Sequence, residues 1–131
     1  MTNQKPVLKF KNKTFRRSFR LAFNGIKLVF KYEKNMKVHC LASVLIVIFG
    51  LFFSLKQTEW LFLVIAITSV IFAEMVNTAC ERIVDLCTSE YNELAKQAKD
   101  IAAGSVLIAT IGAVITGSVI FIPYLIEWLT N

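Results

Sequence analysis

Three apolar stretches set what this chain can fold into. Ile101 to Ile126 is twenty-six residues without a charge, and Val38 to Leu55 is eighteen residues with His39 as the only ionisable one. Trp60 to Ala73 adds fourteen more, and one face stays apolar beyond it through Met75, Val76, Ala79, Ile83 and Leu86. A helix needs about 20 residues to cross a bilayer. Inside hydrocarbon the backbone has no water to bond, which leaves helices as the simplest spanning structure. The expected fold is an all-α membrane protein with membrane helices over residues 33–55, 58–87 and 97–127. The second span has the shortest apolar run, so protein must shield its polar half. The 131 residues are 56% hydrophobic with a mean hydropathy of +0.59, and one integral-membrane domain accounts for residues 1–131. A cleaved signal peptide is not expected, because the first span begins near residue 38 and two more follow it.

Charge orients the spans. Eleven of the fifteen Lys and Arg residues precede Val38, and only Lys56 lies between spans one and two. Basic loops remain in the cytoplasm, so the N-terminus is expected inside and the C-terminus outside. Residues 1–13 read as a mobile polar tail. Residues 14–31 read as an amphipathic surface helix, with Phe15, Phe19, Phe23, Ile26 and Phe30 on one arc and Arg16, Arg17, Arg20, Lys27 and Lys31 on the other. That pattern suits a helix lying in the membrane interface, as an anchor or as one wall of a lipid site.

The second span carries its polar residues in order. Glu74, Asn77, Glu81 and Asp85 stand at i, i+3, i+7 and i+11. At about 100° per residue they share a strip roughly 80° wide. Charges at the edge of hydrocarbon are costly, which makes such a strip a functional candidate. Glu33 and Lys99 are expected at the same cytosolic rim, where Glu33 could instead simply pair with Lys37. Mg²⁺ takes hard oxygen ligands, commonly one or two carboxylates plus substrate phosphates. Glu74 and Glu81 are about 10.5 Å apart along the helix, so two separate tasks fit better than one shared ion. The deeper Glu74 suits a general base, Glu81 with Glu33 suits a metal, and Lys99 suits phosphate oxygens.

Other chemistries find no support. The five glycines form no phosphate loop, one histidine cannot build a histidine metal site, and no nucleic-acid partner is expected. Cys40, Cys80 and Cys87 read as small buried apolar residues. Ser89 reads as the opening of the last helix. Ser105, Ala109, Gly112, Ala113 and Thr116 form a small-residue seam for close helix packing. Three spans enclose a polar site poorly, so oligomers are expected. A small transporter or a subunit of a larger complex is the remote alternative. Acids gathered at one face, without repeated halves, argue against a transporter. A purely structural subunit needs no acid strip.

The run Ala73-Glu74-x-x-Asn77-x-Ala79-x-Glu81-x-x-Val84-Asp85 is followed by Ser89-Glu90-Tyr91-x-Glu93-Leu94 and then Ala98-Lys99-Asp100-x-x-x-Gly104. Over roughly Phe15 to Tyr124 the chain resembles the small bacterial integral-membrane lipid kinases, the diacylglycerol kinase and undecaprenol kinase family. The resemblance implies a homotrimer with shared active sites, three membrane helices and one surface helix per subunit, and ATP with Mg²⁺. It implies Glu74 as catalytic base, Glu33 and Glu81 as metal ligands, and Asn77, Glu90, Asn92, Lys99 and Asp100 on the nucleotide side. Glu33-x-Asn35-x-x-x-His39 is similar to an element of the undecaprenol kinase branch, and Leu21-Ala22 departs from the diacylglycerol kinase branch. Asn35 and His39, with Phe19 and Phe23, are the expected lipid contacts. The implied reaction phosphorylates undecaprenol, with diacylglycerol as the alternative, in a bacterial plasma membrane.

Overall fold

Phe15–Tyr32 forms α1, a helix of eighteen residues. It stops at Glu33, whose extended backbone (φ −95°, ψ 120°) ends one helix and starts the next. Helix α2 covers Lys34–Phe52, α3 covers Gln57–Cys87 and α4 covers Glu93–Thr130. This computed structural model describes residues 14–130, and the expected tail over residues 1–13 lies outside them. Among the described residues the structure is all-helical. Helices α2, α3 and α4 are each long and apolar enough to cross a membrane.

The α2–α3 turn is tight, and it cuts α2 short of the expected residue 55. Ser54 takes a left-handed conformation (φ 53°), and the Leu55 N–H donates to the Gly50 carbonyl at 3.1 Å. Leu55 is thereby tucked inward beside Leu63 and Ile120, forming a buried cluster at this end of the molecule. Trp60 packs on the same turn. A Cβ added to Gly50 would meet its ring at 2.8 Å, so only glycine admits that approach. The carboxylate of Glu59 accepts the Lys56 N–H at 2.7 Å and the Tyr124 hydroxyl at 2.8 Å. One side chain therefore caps α3 and ties it to α4. Tyr124 is thus a structural tie.

Helices α3 and α4 pack along their length, whereas α2 leans on α3 and α1 touches both less extensively. Helix α4 runs through Pro123 without ending. Rows of large apolar side chains, such as Phe72, Ile108 and Val119, face outward. That surface suits lipid or other subunits rather than water.

Two further sequence expectations are corrected. Helix α4 does not open at Ser89. Asn92 caps it, its Oδ1 accepting the Leu94 and Ala95 N–H groups at 2.9 and 3.2 Å. Residues 88–90 are held instead in a turn by Thr88 and Glu90, which exchange hydrogen bonds through the Thr88 hydroxyl. None of the three cysteines is buried: Cys40 and Cys80 are half-buried, and Cys87 is exposed because it ends α3 beyond the packed region. In the small-residue seam, Gly112 is open, and an added Cβ there would meet nothing within 4 Å.

Candidate functional site

The buried polar residues of the described chain are Glu74, Asn77 and Thr78, all in the half of α3 that must be shielded. Glu74 is only 2% exposed. The Thr78 hydroxyl donates to the Glu74 carbonyl at 3.0 Å, which satisfies that hydroxyl within the helix. Above Glu74, the Nδ2 of Asn77 donates to Glu81 Oε1 at 3.1 Å, so neighbouring members of the strip are linked.

Glu74 faces α2. Its Oε1 lies 3.1 Å from His39 Nε2. The contact is close but poorly aligned, and Oε1 has no directed donor; Asn77 Oδ1 is likewise buried without one. Two inward oxygens without donors are uncommon in a folded chain, and they concentrate where something binds or reacts. The charges of Glu33 and Glu81 both act on Glu74, so the three expected acids stand in one electrostatic neighbourhood. Glu33 does not pair with Lys37. The Lys37 ammonium donates instead to the Lys31 carbonyl at 3.4 Å, because the break at Glu33 turns the first residues of α2 away from an i,i+4 geometry.

Toward the end of α3 the strip meets α4. Lys99 Nζ sits 2.5 Å from Asp85 Oδ1. This pair is 40% and 64% exposed, and such pairs open at little cost. It borders a cleft of about 380 Å³ between the end of α3 and the start of α4. Glu90, Asn92, Lys99 and Asp100, four of the five expected nucleotide residues, line this cleft with Asp85. Asn77 is the fifth and lies deeper, on the strip. Asn92 is occupied in capping α4, so its amide nitrogen is the part left for a ligand. Tyr91 donates to Glu93 at 2.6 Å, which pushes its hydroxyl above the usual tyrosine range and keeps it a donor.

The expected lipid residues are divided. His39 lies against Glu74, while Asn35 is exposed on the first turn of α2. Phe19 and Phe23 are exposed on α1, and the Lys27 ammonium lies 4.9 Å from the Phe23 ring centre. A second cation–ring contact, Arg82 over Tyr32 at 5.5 Å, holds the end of α1 beside α3. The His39–Glu74 contact was missed by sequence reasoning, although a signal was present. His39 stands fifteen residues before Ser54 and Glu74 fifteen after Glu59, so folding the hairpin brings them level.

Among the described residues no three His, Cys, Asp or Glu side chains converge to hold a metal by themselves. The oxygens present do fit Mg²⁺. Glu81 offers a carboxylate beside the Asn77 carboxamide, whose Oδ1 is buried without a donor, and Mg²⁺ completes its shell with phosphates and water.

The sequence profile of the prokaryotic diacylglycerol kinases matches residues 20–121. The chain belongs to this family. It is similar to a diacylglycerol kinase of Synechocystis, 37% identical over 111 residues, which are 84% of this chain and 63% of that protein. It thus spans less than two thirds of that relative. It is equally similar to an undecaprenol kinase of Bacillus subtilis, 37% identical over 111 residues, covering 85% of this chain and 90% of the other. A diacylglycerol kinase of Escherichia coli K12 is 32% identical over 95 residues, 72% and 78% of the two chains. The family is one of bacterial lipid kinases, and with three membrane-length apolar helices this member is a bacterial membrane protein.

Proposed function

We propose that this family member transfers the γ-phosphate of ATP to the hydroxyl of a long-chain polyprenol, undecaprenol, with diacylglycerol as the alternative acceptor. The observation that carries the reading is Glu74, a carboxylate buried in a membrane helix with one oxygen lacking a directed donor. A buried anion is expensive, and a proton-accepting task accounts for keeping one there. Relatives of equal identity are named for each lipid, so overall similarity favours neither. The contact of His39 with Glu74 supports the polyprenol branch, because His39 belongs to the element that resembles it.

In the proposed reaction Glu74 accepts the proton of the lipid hydroxyl. The lipid oxygen bonds to the γ-phosphorus, the bond to the β,γ-bridging oxygen breaks, and ADP leaves. Glu33 and Glu81 would hold Mg²⁺ together with phosphate oxygens. The bound ion neutralises phosphate charge, the main requirement of phosphoryl transfer. Lys99, released from Asp85, reaches phosphate oxygens, and Glu90, Asn92 and Asp100 border the nucleotide in the α3–α4 cleft. Asn77 orients Glu81.

Helix α1 lies in the interface with Phe19 and Phe23 toward lipid, and the subunits associate as a homotrimer. The outward apolar rows and the open seam at Gly112 support association. The N-terminus is cytoplasmic and the C-terminus outside. A cysteine at Asn3 is then shielded from an impermeant thiol reagent in intact cells, and one at Asn131 is labelled. The decisive experiment supplies purified protein with γ-labelled ATP and either undecaprenol or diacylglycerol in mixed micelles. Label in undecaprenyl phosphate at the higher kcat/KM supports the reading. A higher value for diacylglycerol reverses the lipid assignment, and no labelled lipid refutes the kinase.

A further inference from the structure

The chain passes from α1 to α2 through a single non-helical residue, Glu33. Its N–H donates to the Val29 carbonyl at 2.8 Å, which completes α1, but its side chain does not cap α2. The ion pairs of the described residues are His39–Glu74 and Lys99–Asp85, and Glu33 is in neither. Its carboxylate is thus not held by the backbone it interrupts, although its charge acts on Glu74. A carboxylate that shares a cation with Glu81 needs its place fixed by something else.

Three contacts pin the junction. Val29, four residues before Glu33, and Met36, three after it, are both buried. Apolar burial is non-directional, so these two set how deeply the junction sits. The third contact has a direction. Arg82 Cζ lies 5.5 Å from the centre of the Tyr32 ring, within the range of a cation–π attraction. Lys31 also lies over this ring, at 5.3 Å, but it comes from the same helix and does not reach α3. Tyr32 immediately precedes Glu33, and Arg82 immediately follows Glu81. The contact therefore joins the chain neighbours of the two proposed metal ligands.

Arg82 is exposed and is in neither ion pair. It stands about 100° round α3 from Glu81, off the acid strip. A cation beside a metal site repels the metal, so on charge alone its place there is unfavourable. What it does hold is the ring.

We infer that Arg82 and Tyr32 form a clasp between α3 and the α1–α2 junction that positions the Glu33 carboxylate to share a divalent cation with Glu81. The inference rests on the metal assignment of the kinase reading above and adds the residues that bring the two ligands together. Both are positioning residues, and neither touches the cation.

The test reads metal binding directly. Mn²⁺, which takes the same oxygen ligands as Mg²⁺, is titrated into the purified full-length protein saturated with a non-hydrolysable ATP analogue. Free Mn²⁺ is followed by its electron paramagnetic resonance signal. Glu33→Ala should weaken binding and sets the scale. Tyr32→Leu removes the ring without changing charge and should weaken binding about two- to fivefold, the reach of an exposed cation–ring contact. Tyr32→Phe keeps the ring face and should restore the wild-type midpoint. Arg82→Gln should weaken binding too, and adding Tyr32→Leu to it should cost nothing more, since the two act as one unit. In a Glu33→Ala background Tyr32→Leu should leave the midpoint where Glu33→Ala put it. Tighter or unchanged binding in Arg82→Gln overturns the proposal, because Arg82 is then only a repelling charge. So does an equal loss from Tyr32→Leu with and without Glu33, the mark of a general loosening of the fold. If Glu33→Ala leaves Mn²⁺ binding unchanged, the metal assignment falls and the clasp falls with it. If Glu33→Ala weakens binding and Tyr32→Leu does not, the metal assignment stands and only the clasp falls.

Discussion

Replacing Glu74 by Gln keeps the volume of a side chain that is 2% exposed and removes its ability to take a proton. The surroundings should tolerate the change, because Thr78 bonds the Glu74 backbone carbonyl rather than the carboxylate, and His39 can face an amide as well. The unfolding midpoint in detergent should therefore move little. Turnover should fall by about 10²- to 10⁴-fold, the usual contribution of a general base. At 1.36 kcal/mol per decade that is roughly 2.7 to 5.4 kcal/mol of lost transition-state stabilisation. Glu74→Asp sharpens the test. It retains the carboxylate but withdraws it by one carbon from a contact now 3.1 Å from His39. A displacement of about 1 Å can cost about 10²-fold in a site built on positioning. Asp should then be intermediate between Glu and Gln, with ATP binding unaltered in both. The assay is initial rate against lipid mole fraction at saturating ATP, with nucleotide affinity measured separately by equilibrium binding. Near-normal turnover in Glu74→Gln would refute the base assignment. If His39 variants lost activity at the same time, the base would be His39 instead.

The other predictions follow from single contacts. Glu33→Ala and Glu81→Ala should each shift the Mg²⁺ dependence of the rate to higher concentration, with the double variant little worse than either single, since groups acting as a unit are non-additive; unchanged Mg²⁺ curves for Glu33→Ala remove it from the site. Gly50→Ala forces a Cβ to within 2.8 Å of the Trp60 ring and should destabilise by about 1–3 kcal/mol in equilibrium denaturation, partly restored by Trp60→Phe; full stability would mean that the turn can shift freely. Tyr124→Phe removes the hydroxyl bonded to Glu59 but keeps the ring against Phe53, so the thermal midpoint should fall while the KM for lipid and ATP stays the same. A KM change there would extend the site to the outer end of the molecule.

The membrane helices were legible because lipid leaves the backbone few alternatives, so long apolar runs carry most of the information. The acidic strip was legible because helical periodicity is local, and Glu74, Asn77 and Glu81 do lie in contact order along α3. The contacts that were not foreseen join residues far apart in sequence. Lys99 with Asp85 and Tyr124 with Glu59 depend on how α3 and α4 align, and periodicity within either helix says nothing of that register. The misplaced start of α4 has a different cause. Ser89 and Asn92 are both good capping residues, and the choice was made by the turn that Thr88 forms with Glu90. His39 falls between these cases. Its partner followed from counting outward from the hairpin turn, but a lone histidine at a membrane rim gives no local sign of having one.

The arrangement along α3 bears on how two substrates of opposite character meet. Glu74, against His39, and Asp85, at the border of the polar cleft, are eleven residues apart, about 16 Å of helix. A lipid hydroxyl held at Glu74 and a nucleotide resting in the cleft would not touch unless the phosphate chain crossed that interval. Glu81 stands within it, on the same strip, and its charge acts on both Glu74 and Lys99. A row of carboxylates alone would repel the phosphates. The proposed Mg²⁺ at Glu33 and Glu81, together with Lys99, reverses the sign of that interval. On this argument the acid strip attracts the nucleotide only when the cation is present. ATP binding itself, and not merely the rate, should then depend on Mg²⁺. Equilibrium binding of ATP that was equally tight with and without Mg²⁺ would break this link between the strip and the cleft.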